Sequence, residues 1–213
     1  MQLTNRIFGL YVILTDPLAG YEQCARAAVK AGVRYIQLRM KNVGTREYIR
    51  TAKKVREITR GSSSYFIVND ILEVAIAAEA DGLHLGQLDQ PVDEARKEWK
   101  VPGRIFGLST HNEEQAARAG LLEPDYIGVG PVFPTPAKAV PDPVLGVERM
   151  GAIIRSSSLP AVAIGGINKE NLAEVFAHGA VNFSAVRPVT QSPDPYQAIM
   201  ELQRLWNSAG ASR

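Results

Sequence analysis

Two cations and an amide recur at every second position of one short apolar segment, as Gln37, Arg39 and Lys41. Side chains of a strand alternate between its two faces, so these three polar groups share one face and the apolar residues between them take the other. Burying uncompensated cations is unfavourable. This face is therefore predicted to meet an anionic ligand.

Carboxylates follow two further apolar segments of the chain. Asn69 and Asp70 come directly after one segment, and Asp89 lies in the turn after the next. Hard oxygen ligands of this kind suit Mg²⁺ that keeps several waters and bridges to phosphates. Two structural alternatives stay open: Asp70 as the N-cap of the helix that follows it, and Asp89 as a turn residue before Pro91.

Hydroxyls and an imidazole follow another apolar segment, at Ser109, Thr110 and His111. His111 lies beyond that segment, where a titratable ring could reach a substrate. Ser109 or Thr110 could instead cap the helix predicted to begin near Asn112. His84 lies inside an apolar segment, and we interpret it as a hydrogen-bonded core histidine.

A proline-rich stretch from Pro131 to Leu145 and a later glycine pair add candidate phosphate contacts. Thr135 offers a hydroxyl and Lys138 a mobile cation, although an exposed loop lysine with no function is the alternative for Lys138. Gly165 and Gly166 lead into a helix, where glycines allow backbone N–H groups to approach a phosphate.

Short apolar runs alternate along the whole chain with longer segments of helical periodicity. Eight strands are predicted at 8–14, 33–39, 65–69, 82–85, 104–108, 125–129, 160–164 and 181–186. Eight helices are predicted at 19–31, 45–59, 71–79, 92–99, 112–121, 146–156, 169–178 and 194–207.

Eight strand–helix units in 213 residues leave about 27 residues for each unit, close to the minimum for a strand, a crossover helix and two turns. This spacing predicts one α/β domain over residues 1–213, a closed (β/α)8 TIM barrel. An open doubly wound sheet is the main alternative. In a TIM barrel the carboxyl ends of the strands carry the chemistry, so the polar residues described above are expected to meet at one rim.

Composition excludes several classes of protein. With 46% hydrophobic and 22% charged residues, the chain is neither fibrous nor disordered. Its 24 Lys and Arg against 22 Asp and Glu leave a net charge of +2, which does not favour nucleic acid or a membrane surface as a partner. The single cysteine, Cys24, agrees with a cytoplasmic location. The apolar run after Arg6 ends in a polar turn and is interpreted as a strand, not a secretion signal.

The most specific stretches carry a family resemblance that covers nearly the whole chain. They are Gln37-Leu-Arg-Met-Lys41, Val68-Asn-Asp70, Ala80-Asp-Gly-Leu-His-Leu-Gly-Gln-Leu-Asp89, Gly130-Pro-Val-Phe-Pro-Thr135 with Lys138, and Ala163-Ile-Gly-Gly-Ile167. In these stretches the sequence resembles thiamine-phosphate synthases, TIM barrels that join an aminopyrimidine diphosphate to a thiazole phosphate.

The resemblance implies a role for each matched position. Gln37, Arg39, Lys41 and Asn69 would hold the pyrimidine diphosphate, Asp70 and Asp89 would bind Mg²⁺, Ser109 and Lys138 would contact the diphosphate, and Thr135 with Gly166 would hold the thiazole phosphate. The implied reaction is dissociative: diphosphate leaves the pyrimidine methylene, and the thiazole nitrogen captures the resulting cation. Both substrates are small molecules, and the sequence leaves the oligomeric state open, a homo-oligomer included.

Three positions depart from the family pattern. Ile71 stands where an arginine commonly follows the Asn-Asp pair, and Ala137 stands where a second hydroxyl usually precedes the loop lysine. Arg187 stands near the end of the last strand, where the family places a serine beside the thiazole phosphate. The guanidinium of Arg187 either strengthens phosphate capture or selects a different ligand.

Two other functions compete with synthase activity. A thiazole tautomerase with the same barrel would use a histidine at the position of His111 and would need no diphosphate site. A non-catalytic barrel would bind a phosphorylated ligand without turnover, and the three departures would suit it. We favour the synthase, because the residues expected at its diphosphate site are all present: Gln37, Arg39, Lys41, Asp70, Asp89 and Lys138.

Overall fold

Eight parallel strands form a closed barrel in a computed structural model that describes residues 7–135 and 142–210. The strands follow one another around the barrel in chain order, each pairing in parallel with the next, and the last strand pairs with the first. The predicted TIM barrel is confirmed, and the open doubly wound sheet is wrong. Within the described residues, no helix combines the length and the apolar character that crossing a membrane requires.

The elements lie close to their predicted positions. The strands are β1 Leu10–Leu14, β2 Tyr35–Leu38, β3 Tyr65–Asn69, β4 Gly82–Leu85, β5 Ile105–Thr110, β6 Tyr126–Val129, β7 Ala161–Ala163 and β8 Phe183–Ala185. The helices are α1 Tyr21–Lys30, α2 Thr45–Thr59, α3 Leu72–Ala77, α4 Val92–Glu98, α5 Glu113–Leu122, α6 Gly146–Ser156, α7 Leu172–Ala177, α8 Arg187–Thr190 and α9 Pro195–Gly210.

Most boundary errors are small. The predicted β1, β2 and β8 run one or two residues past the observed strands, although backbone bonds continue beyond these ends, as from the N–H of Arg39 to β1. Strand β5 instead ends two residues later than predicted, because Ser109 and Thr110 still pair with Gly128 and Val129. Polar residues at a strand end do not mark its boundary when they line a cavity.

Helix α8 was not predicted. Its four residues are too few to show a helical periodicity of apolar side chains. Pro188 lies in its first turn, where the missing N–H has no intrahelical acceptor and the fixed φ of proline suits a helix. Helix α8 follows β8 directly and therefore places Arg187 at the carboxyl rim of the barrel.

Two apolar layers enclose the strands. The outward side chains of β2, Ile36 and Leu38, are fully buried against the surrounding helices, and Cys24 and Ala25 of α1 belong to the same cluster. The inward side chains form a second, smaller cluster made of Tyr11, Ile13, Tyr35, Ile67, Ile105, Tyr126 and Val162. The barrel interior is therefore a packed core below the carboxyl rim and leaves room for a ligand only above it.

Polar residues close the opposite, amino-terminal end of the barrel. Asp81, Asp125 and Asn182 immediately precede β4, β6 and β8, and the side-chain oxygen of each accepts a backbone N–H from a neighbouring strand. The bonds run from Phe66 to Asp81 at 2.8 Å, from Phe106 to Asp125 at 2.8 Å, and from Phe8 and Gly9 to Asn182 at 2.7 and 3.1 Å. These carboxylates and this amide thus add side-chain bonds between neighbouring strands at the amino-terminal end of the barrel.

We predict that Asn182→Ala destabilises the barrel by about 2–4 kcal/mol, since two backbone N–H groups lose their acceptor in a site where Asn182 is fully buried. Chemical denaturation measures this change in the free energy of unfolding. Asn207→Ala, at an exposed position of α9, is the matched control, with an expected change below about 0.5 kcal/mol. Equal stability of Asn182→Ala and the wild type would contradict the proposed role of the amide.

Candidate active site

A cavity of about 690 Å³ opens at the carboxyl ends of the strands. Its lining includes most of the residues that the sequence singled out: Gln37, Arg39, Asn69, Ser109, His111, Thr135, Gly165, Gly166 and Arg187. These residues lie on six different strands or the loops that follow them, and closure of the barrel brings them together. The predicted convergence at one rim is confirmed for this set.

Strand β2 supplies the amide and the cations as its alternation predicts. Gln37 and Arg39 line the cavity, and Gln37 is 2% exposed. Lys41 lies outside the cavity lining, at the rim, where its ammonium group forms an ion pair with the carboxylate of Asp70. The cation that the resemblance assigns to the diphosphate and the carboxylate that it assigns to Mg²⁺ are therefore in direct contact with each other.

Asp70 has a backbone conformation that few residues other than glycine adopt. Its φ is 66°, and the N–H of Ile71 donates to the carbonyl of Asn69 at 2.9 Å across it. This three-residue turn is a γ-turn of the rare, strained kind. Helix α3 starts after Ile71, which makes no side-chain cap, so the alternative that Asp70 caps this helix is wrong. The strained turn instead aims the carboxylate of Asp70 at the rim.

Asp89 combines a structural and an electrostatic feature. Its Oδ2 accepts the backbone N–H of Gly86 at 2.6 Å, so its interpretation as a turn residue is correct. Burial raises the pKa of Asp89 above its ordinary value, the N–H of Gly86 opposes that increase, and the neighbouring Asp70 carboxyl adds to it by charge and by a hydrogen bond. Asp70 and Asp89 are thus neighbouring acids whose charges oppose each other, and a cation near both would relieve their repulsion.

A hydrated divalent cation fits this pair of carboxylates. Residues 7–135 and 142–210 contain no group of three or more His, Cys, Asp or Glu side chains arranged to hold a metal, so a site with only protein ligands is not built there. Magnesium is commonly held by one or two carboxylates, waters and substrate phosphates. Asp70 and Asp89 provide that ligand set, with the polar side chain of Asn69 in the adjoining cavity wall.

His84 is more than a core histidine. Its Nδ1 lies 3.0 Å from the hydroxyl of Tyr126 and its Nε2 lies 2.9 Å from Oγ of Ser109, so both ring nitrogens have partners as we expected. Burial lowers the pKa of His84 to about 4, which keeps the ring neutral at neutral pH. His84 nevertheless lines the cavity floor, a position that its apolar sequence neighbours did not indicate.

The hydroxyls and the imidazole after β5 have distinct roles. Asn112, not Ser109 or Thr110, caps α5, since its Oδ1 accepts the N–H of Gln115 at 2.9 Å. Thr110 is buried and donates to the carbonyl of Gly128 at 2.9 Å. Nδ1 of His111 donates to the carbonyl of Gly130 at 2.6 Å, so this ring is tied to the loop after β6 while it lines the cavity. Ser109 is the hydroxyl left for a ligand.

Close packing requires the glycine pair after β7. Gly165 and Gly166 have φ values of 100° and 66°, and a Cβ on them would lie 2.5 Å from Cα of Pro131 and 2.7 Å from the carbonyl oxygen of Pro134. The pair lets the loop after β6 approach the rim, and both glycines line the cavity with Thr135. Lys138 and Ala137 lie outside the described residues.

Three residues of the site were not predicted. The hydroxyls of Thr15 and Ser184 line the cavity and are buried without a hydrogen-bond partner among the described residues. Tyr48 of α2 donates to the carbonyls of Leu38 at 2.8 Å and Asn69 at 3.1 Å, and so holds the ends of β2 and β3 together. The alternation of Asn182 and Ser184 with the apolar residues of β8 could have indicated Ser184. No local pattern indicates Tyr48, because its partners are distant backbone groups.

Comparison with known families agrees with this site. The family model described as thiamine monophosphate synthase matches residues 10–189, which span all eight strands. The chain belongs to this family. The range that matches the thiamine monophosphate synthase model contains most of the residues that line the cavity just described, and Arg187 is among them.

Individual relatives match this chain over most of their own length. The thiamine-phosphate synthase of Archaeoglobus fulgidus is 40% identical over 194 residues and that of Coprothermobacter proteolyticus 42% over 200 residues, with at least 90% of each chain covered. The solved thiamine phosphate pyrophosphorylase from Pyrococcus furiosus superposes with a TM-score of 0.86 and 36% identity, covering 98% of this chain and 99% of the other. A 3-hexulose-6-phosphate synthase, at a TM-score of 0.66 and 15% identity, shares the fold alone.

We predict that Asp89→Asn raises the melting temperature of the metal-free protein at pH 7. An acid whose pKa is higher in the folded state destabilises the protein as pH rises through the interval between its unfolded and folded pKa values, and the loss persists above that interval. The raised pKa of Asp89 therefore predicts a difference between variant and wild type that disappears below about pH 4. The amide oxygen can still accept the N–H of Gly86.

Thermal unfolding from pH 3 to pH 8, with a chelator and then with Mg²⁺, measures both parts of this prediction. Magnesium should stabilise the wild type more than Asp89→Asn. Asp93→Asn is the control, because Asp93 is an acid of the same loop–helix region whose pKa is lowered by its hydrogen bond to Lys97. A lower melting temperature for metal-free Asp89→Asn at pH 7 would show that the two carboxylates do not repel each other.

Proposed function

We propose that this protein is a thiamine-phosphate synthase that joins an aminopyrimidine diphosphate to a thiazole phosphate and releases pyrophosphate. The observation that carries the proposal is the ion pair of Lys41 with Asp70, with the acid Asp89 nearby, at the barrel rim that also carries a cavity lined by Gln37 and Arg39. A thiazole tautomerase has no diphosphate leaving group and does not need this arrangement. A volume of about 690 Å³ lies in the range of small-molecule sites.

The pyrimidine diphosphate would lie between β2 and β5. Gln37 and Asn69 are the buried amides of the wall and suit a pyrimidine ring, whereas Arg39, Lys41 and Ser109 suit the diphosphate. Guanidinium and ammonium groups bind phosphate oxygens through charge-assisted hydrogen bonds. Lys138, which the family resemblance assigns to the same diphosphate, would complete this set.

The thiazole phosphate would lie on the opposite wall, between β6 and β8. Thr135, Gly166 and Arg187 lie there with the hydroxyl of Ser184, which has no hydrogen-bond partner within the described part of the chain. Loops after the seventh and eighth strands form the usual phosphate site of TIM barrels, often with a short additional helix. Helix α8 is such a helix, and Arg187 is its first residue. We interpret Arg187 as a strengthened phosphate contact in place of the family's serine.

The chain's contribution to the reaction is electrostatic and positional. The bond from the pyrimidine methylene carbon to the diphosphate oxygen breaks with its electron pair on oxygen, and the lone pair of the thiazole nitrogen forms the new carbon–nitrogen bond. Arg39 and Lys41 neutralise the charge that develops on the leaving diphosphate, and the two walls hold nitrogen and carbon in line. Magnesium held by Asp70 and Asp89 would supply further charge neutralisation of the diphosphate.

We predict that Lys41→Ala lowers kcat by about 100- to 1000-fold, the usual effect of losing one preorganised group that stabilises developing charge. The KM for thiazole phosphate should stay within about threefold, because the thiazole phosphate lies on the other wall. A coupled pyrophosphate assay with Mg²⁺ and both substrates measures these constants. Lys54→Ala is the matched control, since Lys54 pairs with Glu22 on the helical surface.

The same assay separates the three candidate functions. Wild-type kcat in Lys41→Ala would contradict the role of Lys41 in charge neutralisation. Tight binding of thiazole phosphate by the wild type without pyrophosphate release would favour a non-catalytic barrel. Interconversion of thiazole carboxylate tautomers without pyrophosphate release would favour a tautomerase.

We predict that Arg187→Ala raises the KM for thiazole phosphate by about 10- to 100-fold, the loss expected for a charge-assisted hydrogen bond of 1.5–3 kcal/mol. Arg187→Lys keeps the charge but loses the planar guanidinium group. Its KM for thiazole phosphate should therefore lie between those of the wild type and Arg187→Ala. Measurement of both KM values by pyrophosphate release tests this. An unchanged KM for thiazole phosphate in Arg187→Ala would show that the guanidinium does not contact that ligand.

A further inference from the structure

Five side chains form a continuous line of hydrogen bonds across the barrel interior. Nε2 of Gln37 lies 2.9 Å from the hydroxyl of Tyr11, which lies 2.8 Å from the hydroxyl of Tyr126. That hydroxyl lies 3.0 Å from Nδ1 of His84, and Nε2 of His84 lies 2.9 Å from Oγ of Ser109. The line joins the two ends of the proposed pyrimidine diphosphate site beneath the cavity floor.

The first bond gives the whole line a direction. An amide nitrogen only donates, so the oxygen of Tyr11 accepts from Gln37 and its own proton goes to Tyr126. The oxygen of Tyr126 is then an acceptor from Tyr11, and its proton goes to Nδ1 of His84. Burial raises the pKa of both tyrosines well above the ordinary value, so both phenols keep their protons.

The direction of the hydrogen bonds also determines where the protons of His84 and Ser109 lie. A neutral imidazole carries one proton, and because Nδ1 accepts from Tyr126, that proton lies on Nε2. Nε2 of His84 therefore donates to Oγ of Ser109. The hydroxyl proton of Ser109 is then available to the cavity that this residue lines.

We infer that Tyr11, Tyr126 and His84 are positioning residues that make Gln37 an acceptor and Ser109 a donor toward the cavity. Gln37 uses one amide N–H on Tyr11, which leaves its carbonyl oxygen as an acceptor for a ligand N–H, beside its second N–H. The line therefore matches a ligand with an amino group at one end and an anionic oxygen at the other. An aminopyrimidine diphosphate has both groups, and in this respect the inference rests on the proposed function. A pyrimidine with an oxo group in place of the amino group would present an acceptor to the carbonyl of Gln37.

Packing holds the line in place. Gln37, Tyr11 and Tyr126 are at most 2% exposed, and the ring of His84 stacks on that of Tyr126 with centroids 5.5 Å apart. A Cβ at Gly107 would lie 2.2 Å from Cζ of Tyr126 and 2.4 Å from Nδ1 of His84, so a side chain there would displace the middle of the line. These contacts restrict each group to its present partners, and rotation to another partner would leave a buried polar atom unpaired.

The tautomer of His84 tests the inference without any substrate. Nitrogen-15 NMR of histidine-labelled protein at neutral pH distinguishes a protonated from an unprotonated ring nitrogen. The chain has three histidines, and the His84 signals are those that persist in both His111→Gln and His178→Gln. We expect the proton on Nε2 and an unprotonated Nδ1. A proton on Nδ1 would reverse every bond in the line and overturn the inference, whatever the activity of the protein.

A kinetic experiment tests the positioning role. Tyr126→Phe keeps the ring but interrupts the line, and we expect kcat to fall by about 10- to 100-fold while the KM for thiazole phosphate stays within about twofold. Tyr35→Phe removes a hydroxyl from the same aromatic cluster outside the line, and its kcat should stay within about twofold of wild type. The ring centroids of Tyr35 and Tyr126 are 6.3 Å apart, so both substitutions affect the same packing environment.

Two further comparisons complete the test. The combined loss of Tyr126→Phe and Ser109→Ala should be smaller than the product of the two single losses, because part of the effect of Tyr126 acts through Ser109. Wild-type kcat in Tyr126→Phe, equal losses in Tyr126→Phe and Tyr35→Phe, or additive losses in the double variant would each overturn the inference. A wild type that releases no pyrophosphate would instead contradict the proposed function, and the NMR measurement would still decide the direction of the line.

Discussion

The proximity of Asp70 and Asp89 is the constraint on which the site depends. Burial raises the pKa of Asp89, and the negative charge of the neighbouring Asp70 carboxyl raises it further. Lys41 partly compensates by pairing with Asp70. The strained turn at Asp70 and the bridge from Tyr48 keep the arrangement from relaxing. Local stability is thus lower than it could be, and a divalent cation with a diphosphate would supply the missing charge balance.

Charged side chains lie near the mouth of the cavity, and neutral polar side chains lie deeper, at its floor. Arg39, Lys41 and the two aspartates surround the mouth, whereas the floor beneath consists of neutral groups such as Gln37 and His84. A reaction that separates a diphosphate anion from an organic cation suits this division. The mouth stabilises the anion, and the floor places no fixed positive charge under the cation. Burial lowers the pKa of His84 and raises those of Tyr11 and Tyr126, so the floor stays neutral near pH 7.

Much of this arrangement is predictable from sequence, because it follows from alternation and chain order. The period of two in β2 identifies Gln37 and Arg39, and the barrel rule brings them to the rim. Helix α8 and the roles of Tyr48 and Tyr126 are not predictable in this way. A four-residue helix shows no periodicity, and the tyrosines act through partners that only the closed barrel makes neighbours. The position of His84 is likewise only partly predictable. Its apolar sequence neighbours predict that the ring is buried, but not which wall of the barrel interior it faces.

A crystal structure with Mn²⁺ and inorganic pyrophosphate tests the central claim most directly, because anomalous scattering locates the manganese without ambiguity. The account predicts one manganese ion between Asp70 and Asp89 that also contacts pyrophosphate, with the ammonium of Lys41 moved from Asp70 onto a phosphate oxygen. Manganese bound elsewhere, or pyrophosphate bound while the pair of Lys41 and Asp70 stays intact, would contradict it.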